Sequence, residues 1–372
     1  MSTKLDLVCL SHLRWGFVFQ RPNHLMSRAA RSRRVFFFEE PIFDSEQPRL
    51  AVSQAADNLY VTVPHLPAGL AGQELLDRQR ALLNELQRSF DIESPIAWYY
   101  TPMALEYARQ LTASLTVYDC MDELSAFHGA PPRLRELENE LFQRADLVFT
   151  GGESLYQAKK SRHASVHAFP SSVDFAHFSR GRGPLPEPED QAGLGYPRLG
   201  FFGVIDERMD LELVERLAQQ HPEWQIVMLG PVVKIDPAKL PRLPNLHWLG
   251  QKSYDDLPRY MSGWHVALMP FALNESTRFI SPTKTLEYLA AGRPVVSTPI
   301  ADVVRPYGER GLVRVAPADR FDLAIEEALS ESVSRRRPEV DEFLSQTSWD
   351  ITWERMSTLI DEKLRVPTSK VA

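Results

Sequence analysis

Two tandem α/β domains, each a doubly wound parallel sheet, are the fold class predicted by this sequence of 372 residues. Three observations predict it. The length exceeds what a single hydrophobic core usually serves. Short apolar runs alternate with segments of helical spacing from end to end. A stretch rich in proline and glycine interrupts that alternation near the middle.

The elements follow in order. In the first half, Leu5–Leu10, Val35–Phe38, Leu59–Val63, Ile96–Tyr100, Leu115–Tyr118, Leu147–Thr150 and Val166–Phe169 have the length and apolarity of buried strands. Residues 21–31, 72–89, 133–145 and 153–161 carry helical spacing between them. The first domain is assigned to residues 1–180. Residues 181–197, GRGPLPEPEDQAGLGYP, hold four prolines and four glycines and read as the linker. The second domain, 198–347, repeats the rhythm. Leu199–Val204, Gln225–Leu229, His265–Met269 and Pro294–Ser297 read as its strands, and 253–261, 283–291 and 320–330 as helices. In the tail, 348–372, Trp349, Trp353, Met356 and Ile360 are spaced as one helix face. Open parallel sheets bind ligands beyond the carboxyl ends of their strands, so the cleft between the domains is the expected site.

Composition excludes some classes. Hydrophobic residues make up 44% and charged residues 24%, ordinary for a soluble globular protein, and the net charge of −7 argues against nucleic acid as a partner. No apolar run approaches the ~18 residues of a membrane span, and the opening MSTKLDLVCL is too short and interrupted for a signal-peptide core, so a cytoplasmic location is expected. Cys9 and Cys120 sit in strand-like runs and read as buried free thiols. There is no Asp-x-Asp motif, and His163 and His167 lack a third ligand, so neither a metal nor any other cofactor is expected. Arg28, Arg31, Arg33 and Arg34 close the first helical segment. They serve either as cations at a helix C-terminus or as a peripheral contact with anionic lipid.

The most informative segment is SPTKTLEYLAAGRPVVS, residues 281–297. Ser281 suits an N-cap, Pro282 the first helical position and Gly292 the helix end. Lys284 opposes the macrodipole in the first turn, which makes sense if an anion sits among the free N–H groups there. Glu287 falls near the same face and can accept hydrogen bonds from sugar hydroxyls. The plainer alternative is a solvated Lys284–Glu287 pair.

This segment resembles the donor-binding helix of family 4 retaining GT-B glycosyltransferases. The resemblance implies two Rossmann-like domains facing across a cleft, with a C-terminal helix crossing back. It also implies that Glu287 binds the ribose of a nucleotide sugar. Phe279 stands where the family has a second glutamate, so Asn274, Glu275 or Arg278 are candidates for holding the transferred sugar, with Ser281 and Thr283 at the helix start. FFGVIDERMDLELV, residues 201–214, resembles the family's diphosphate loop. Gly203, Arg208 and Asp210 match it, and Arg208 pairs with Lys284 as a diphosphate clamp. AFPSSVDFAHF and ADLVFTGGESL resemble the segments that close the family's first domain.

SHLRWGFVFQRPNHL (11–25) and VYDCMDELSAF (117–127) resemble bacterial cell-envelope glycosyltransferases of the teichuronic-acid type. Arg14, Trp15, Gln20, Arg21 and His24 then belong to a cleft loop suited to sugar and phosphate, or Trp15 lies in the core. Asp119, Asp122 or His128 could orient the acceptor hydroxyl or take its proton. The expected reaction is transfer of a sugar from a nucleotide diphosphate, UDP foremost, to a sugar or lipid-linked acceptor. Retention is implied by the resemblance alone. The alternatives are a nucleotide-sugar 2-epimerase of the same fold and a non-catalytic binding module.

Overall fold

The computed structural model describes residues 5–330 and 338–365. The outer ends of the first and last assigned segments, 1–4 and 366–372, lie outside them, as do 331–337.

The first sheet has eight strands. They are β1 (Leu7–Leu10), β2 (Val35–Phe38), β3 (Arg49–Ala56), β4 (Leu59–His65), β5 (Ile96–Tyr99), β6 (Leu115–Cys120), β7 (Leu147–Thr150) and β8 (Val166–Ala168). Their order is β3-β4-β2-β1-β5-β6-β7-β8, parallel except that β3 runs antiparallel to β4. The second sheet has six strands, all parallel. These are β9 (Arg198–Phe202), β10 (Gln225–Leu229), β11 (Leu246–Gly250), β12 (Val266–Met269), β13 (Val295–Ser297) and β14 (Arg314–Val315), in the order β11-β10-β9-β12-β13-β14. Central strands such as LVCL and VFFF are buried throughout, as expected where helices cover both faces. In each sheet the strand order reverses beside the first strand, β1 against β5 and β9 against β12. Loops leaving β1 and β9 therefore diverge from their neighbours and open a crevice in each domain.

The doubly wound fold class is the one expected, with three strands the sequence does not announce. β3, mostly exposed at the sheet edge, has no apolar run. β11 is half-buried and contains His247, and β14 is two residues long. The expected linker also differs. Val173 and Phe178 already belong to the second core, so the chain passes between domains ahead of residue 173. The segment 181–197 is docked onto the second domain. Gln191 is fully buried there, accepts a hydrogen bond from Trp264 Nε1 at 2.9 Å and donates to the Tyr260 carbonyl at 3.0 Å. Proline and glycine shape this segment to the surface of the second domain.

At the other end the chain crosses back as expected. Helix Pro338–Ser345 buries Val340 and Leu344 in the second core, while helix Trp349–Arg365 buries Trp349, Trp353, Met356 and Ile360 in the first, against Leu25, Met26 and Trp98. This docking consumes most of the arginines considered for lipid. Arg28 and Arg31 both meet Asp350, at 2.9 and 2.5 Å, and Arg33 lies 3.8 Å from Asp361. Arg34 pairs with Asp6 at 2.6 Å. Arg28, Arg31 and Arg33 thus fasten the terminal helix to the first domain. No helix among the described residues is long and apolar enough to cross a membrane.

Trp349 is fully buried and stacks on His24 with ring centroids 4.7 Å apart. Trp349→Ala is expected to cost about 3–5 kcal/mol, read as a lowered melting temperature of the full chain. An unchanged melting curve would mean that the terminal helix does not complete the first core.

Candidate functional site

The carboxyl ends of the two sheets face one cavity of about 390 Å³. The first domain contributes the loop after β1, with Trp15, Phe17, Phe19, Gln20 and Arg21, and Asp122 from the turn after β6. The second contributes Gly203 and Arg208 from the loop after β9, and Ser281, Thr283, Lys284 and Glu287 from the start of helix Thr283–Ala290.

That helix begins one residue later than its sequence suggests. Pro282 is the N-cap and Thr283 the first helical residue, so no side chain caps it. Gly292, at φ +72°, closes it as expected. Lys284 extends from the first turn over Gly203, where a built Cβ would fall on the lysine's Cε and Nζ. With φ at +135°, Gly203 also takes a conformation that side-chain-bearing residues rarely adopt. Only glycine there lets the ammonium cross the end of β9. The Lys284 Nζ lies 5.6 Å from the centre of the Phe201 ring and has no hydrogen bond or ion pair among the described residues.

Glu287 lines the same cavity, is 5% exposed, and its carboxylate likewise has no hydrogen-bond partner among the described residues. The solvated surface pair is thereby set aside, since these charges stand in a half-closed cavity without touching. Burial pushes Glu287 well above the usual carboxylate range, with Lys284 opposing. Burial, then Arg208, hold Lys284 below the usual ammonium range. Arg208 is itself braced. Its Nε and Nη2 grip Asp206 at 2.7–3.1 Å, which fixes the guanidinium toward the cleft. Across the gap, burial raises the Asp122 carboxyl, opposed first by Arg208 and then by Arg21.

The arrangement therefore presents two cations and unsatisfied helix N–H groups on one wall, an unpartnered carboxylate beside them and a second carboxylate opposite. Such an arrangement is chemically suited to an anionic, hydroxyl-bearing ligand. Residues 197–331 match the family described as Glycosyl transferases group 1. A Bacillus subtilis (strain 168) protein named as a teichuronic acid biosynthesis glycosyltransferase, TuaH, is 26% identical over 296 residues, with 74% of each chain covered. Sucrose-phosphate synthase from Thermosynechococcus elongatus shares the fold at a TM-score of 0.73 and 14% identity, over 96% of this chain and 99% of that one. So does an E. coli trehalose-6-phosphate structure bound with UDP-2-fluoro glucose, at a TM-score of 0.70, 14% identity and 97% and 99% coverage.

The chain is a GT-B glycosyltransferase.

Several expected site residues of this glycosyltransferase lie elsewhere. Asp119 is fully buried and held by Arg21 at 2.9–3.2 Å, with Arg21 also donating to the Phe169 carbonyl at 2.8 Å. It has no surface from which to meet an acceptor. Its role is to brace Arg21 at the rim. His128 is exposed, outside the cavity lining, and uses its backbone N–H to reach Glu207 across the domains at 2.9 Å. Asn274 folds its own loop, accepting from Ser276 and Thr277. Arg278 points outward beside Glu275 at 3.8 Å, and neither lines the cavity. Phe279, in place of a second glutamate, packs against the edge of the first-domain core and serves as a domain contact.

On the first-domain side, Arg14 ties the loop to Glu39 at 2.9 Å and to the carbonyls of Glu40 and Pro41. His24 is buried against Trp349, and burial, then Arg28, lower it to about 3. Trp15 packs edge-on to Phe37 at 5.2 Å and also lines the cavity. Sequence reasoning missed Gln251, Lys252, Ser253, Tyr254 and Leu257, which line the cavity after β11. β11 is only partly buried and is interrupted by His247, so nothing in the sequence marks the loop behind it as lying at a strand's carboxyl end. No group of three or more metal-ligating side chains occurs among the described residues.

An unpartnered buried carboxylate opposes folding wherever it is ionised. Because Glu287 is raised in the folded state, its cost is absent below the unfolded value near 4.5 and grows as pH rises past it. Glu287→Gln should therefore stabilise the ligand-free enzyme by about 1–3 kcal/mol at pH 8 and by almost nothing at pH 4. Calorimetric melts at the two pH values test this, and destabilisation at pH 8 would show that the carboxylate has a structural partner.

Proposed function

We propose that the enzyme transfers a sugar from a UDP-sugar to an acceptor hydroxyl, with retention of configuration, in the synthesis of a cell-envelope glycan. The observation that carries this reading is the placement of Lys284, a cation with no ion pair among the described residues, next to the braced Arg208 and the unpartnered carboxylate of Glu287. A nucleoside diphosphate supplies both missing partners. Its phosphates meet the cations and the free N–H groups of helix Thr283–Ala290, and its ribose hydroxyls donate to Glu287. TuaH's name supports the envelope assignment, and the UDP-2-fluoro glucose bound in the E. coli structure supports the donor class. Retention rests on the family resemblance.

The chemistry follows from charge. As the glycosidic bond breaks, negative charge grows on the departing diphosphate, where Lys284 and Arg208 stabilise it more than in the ground state. These side chains take the part that a divalent cation plays in other transferases, so turnover is expected to persist in EDTA. Asp122 stands on the opposite wall with a raised carboxyl, suited to taking the acceptor's proton. The epimerase alternative calls for a histidine at the sugar ring, and none is among the residues lining the cavity.

Screening UDP-sugars for UDP release with and without acceptor glycosides tests the reaction class. Lys284→Ala should weaken UDP binding by about 1.5–3 kcal/mol in calorimetry while leaving uridine unaffected. Unchanged UDP affinity would remove Lys284 from the donor site. Asp122→Asn should retain UDP affinity and lose ~10²–10⁴-fold in kcat; parental kcat would assign the proton to another group.

A further inference from the structure

The two domains meet at one point where a side chain from the second completes a helix of the first. Helix Glu153–Lys159 follows β7, and its N-cap is Gly152, which has no side chain to cap it. Asp302, in the short helix Ala301–Val303 after β13, supplies what is missing. Its Oδ1 accepts the Ser154 N–H at 2.9 Å, and the residue is 6% exposed. The fit leaves no room for a larger residue. A Cβ built on Gly152 would fall on the Asp302 carboxylate and against Ser281 Cβ. Beside it, Ser171 Oγ donates to the Ser281 carbonyl at 2.5 Å, again across the domains.

This contact is wired to both walls of the cleft. On one side, Ser281 precedes the helix that carries Lys284 and Glu287. On the other, Gly151 is packed so closely on Met121 that a Cβ would strike its backbone, and the Gly151 N–H bonds the Cys120 carbonyl at 2.9 Å. Asp122 is the next residue along. Separating Asp302 from Gly152 would carry Asp122 away from Lys284.

We propose that Asp302 is a positioning residue that holds the domains closed, setting Asp122 opposite the Lys284–Glu287 wall. The functional part rests on the transferase mechanism proposed above; the closure itself does not. The contact is suited to reversal. The Asp302 carboxylate makes its contacts with the backbone and hydroxyl at the start of that helix, polar contacts that water replaces when the domains part.

Three variants of the full chain test the proposal by small-angle scattering, with circular dichroism as the check on folding. Asp302→Ala removes the cap. Gly152→Ser caps the helix from within its own domain but obstructs the carboxylate. Asp302→Asn keeps an oxygen that can accept from Ser154. The first two should show a larger radius of gyration than the parent, unchanged UDP affinity in calorimetry and at least ~10-fold slower UDP release from the active nucleotide sugar. The asparagine variant should match the parent. Gly152→Ser is decisive, because a purely local capping role predicts that it is neutral or stabilising and remains closed. A parental radius in either Asp302→Ala or Gly152→Ser overturns the proposal. If the parent fails to bind UDP, the donor reading falls while the scattering result still decides closure.

Discussion

A charge imbalance left open in the cleft is the constraint on which the rest of the structure turns. Lys284 stands in the first turn of a helix, where the macrodipole disfavours it, with Arg208 nearby and Glu287 on the same side without contact. A protein selected for stability alone would pair or expose these groups. Here the surrounding elements prevent both. Gly203 lets the lysine reach into the cavity, Asp206 fixes the arginine, and helix Thr283–Ala290 keeps the glutamate 5% exposed. Such preorganisation is what electrostatic catalysis demands, because the groups need not reorganise when charge appears on the substrate.

The first domain answers that arrangement with apolar and braced elements. Trp15, Phe17 and Phe19 form the wall after β1, and the buried Arg21–Asp119 pair anchors its end. A buried pair of this kind is expensive to desolvate and adds little net stability, but it fixes geometry. Arg21 and Asp119, read from the sequence as recognition and catalysis, are better described as the rigid frame within which Asp122 is held.

The legibility of the chain in its sequence follows from how strongly each feature constrains residue type. Buried parallel strands demand continuous apolar runs, so LVCL, VFFF and LVFT are plain. The exposed edge strand β3 and the two-residue β14 impose no such demand. On the second domain the donor-helix segment was legible because lysine in a first turn needs an explanation. The loop after β11 was not, because its residues are individually ordinary and only topology brings them to the cavity. In the first domain, Asp119 near the end of β6 and Asp122 just beyond it are three positions apart, and sequence alone cannot say which carboxylate faces the cleft. The segment 181–197 is ambiguous for another reason. Proline and glycine mark irregular backbone, and irregular backbone can be docked as well as free.

Finally, the order in which the chain is made differs from the order in which it can be completed. The core around Leu25, Met26 and Trp98 belongs to the domain synthesised first, yet its covering layer of Trp349, Trp353, Met356 and Ile360 arrives last. Until then the nascent first domain carries an uncovered apolar face, the kind of surface that chaperones bind and that aggregates when exposed. The first domain is therefore not a self-sufficient module. Gene fusions or dissections that separate residues 349–365 from the first domain deprive it of its own lid, whereas the second domain keeps its helix Pro338–Ser345 and closes without them.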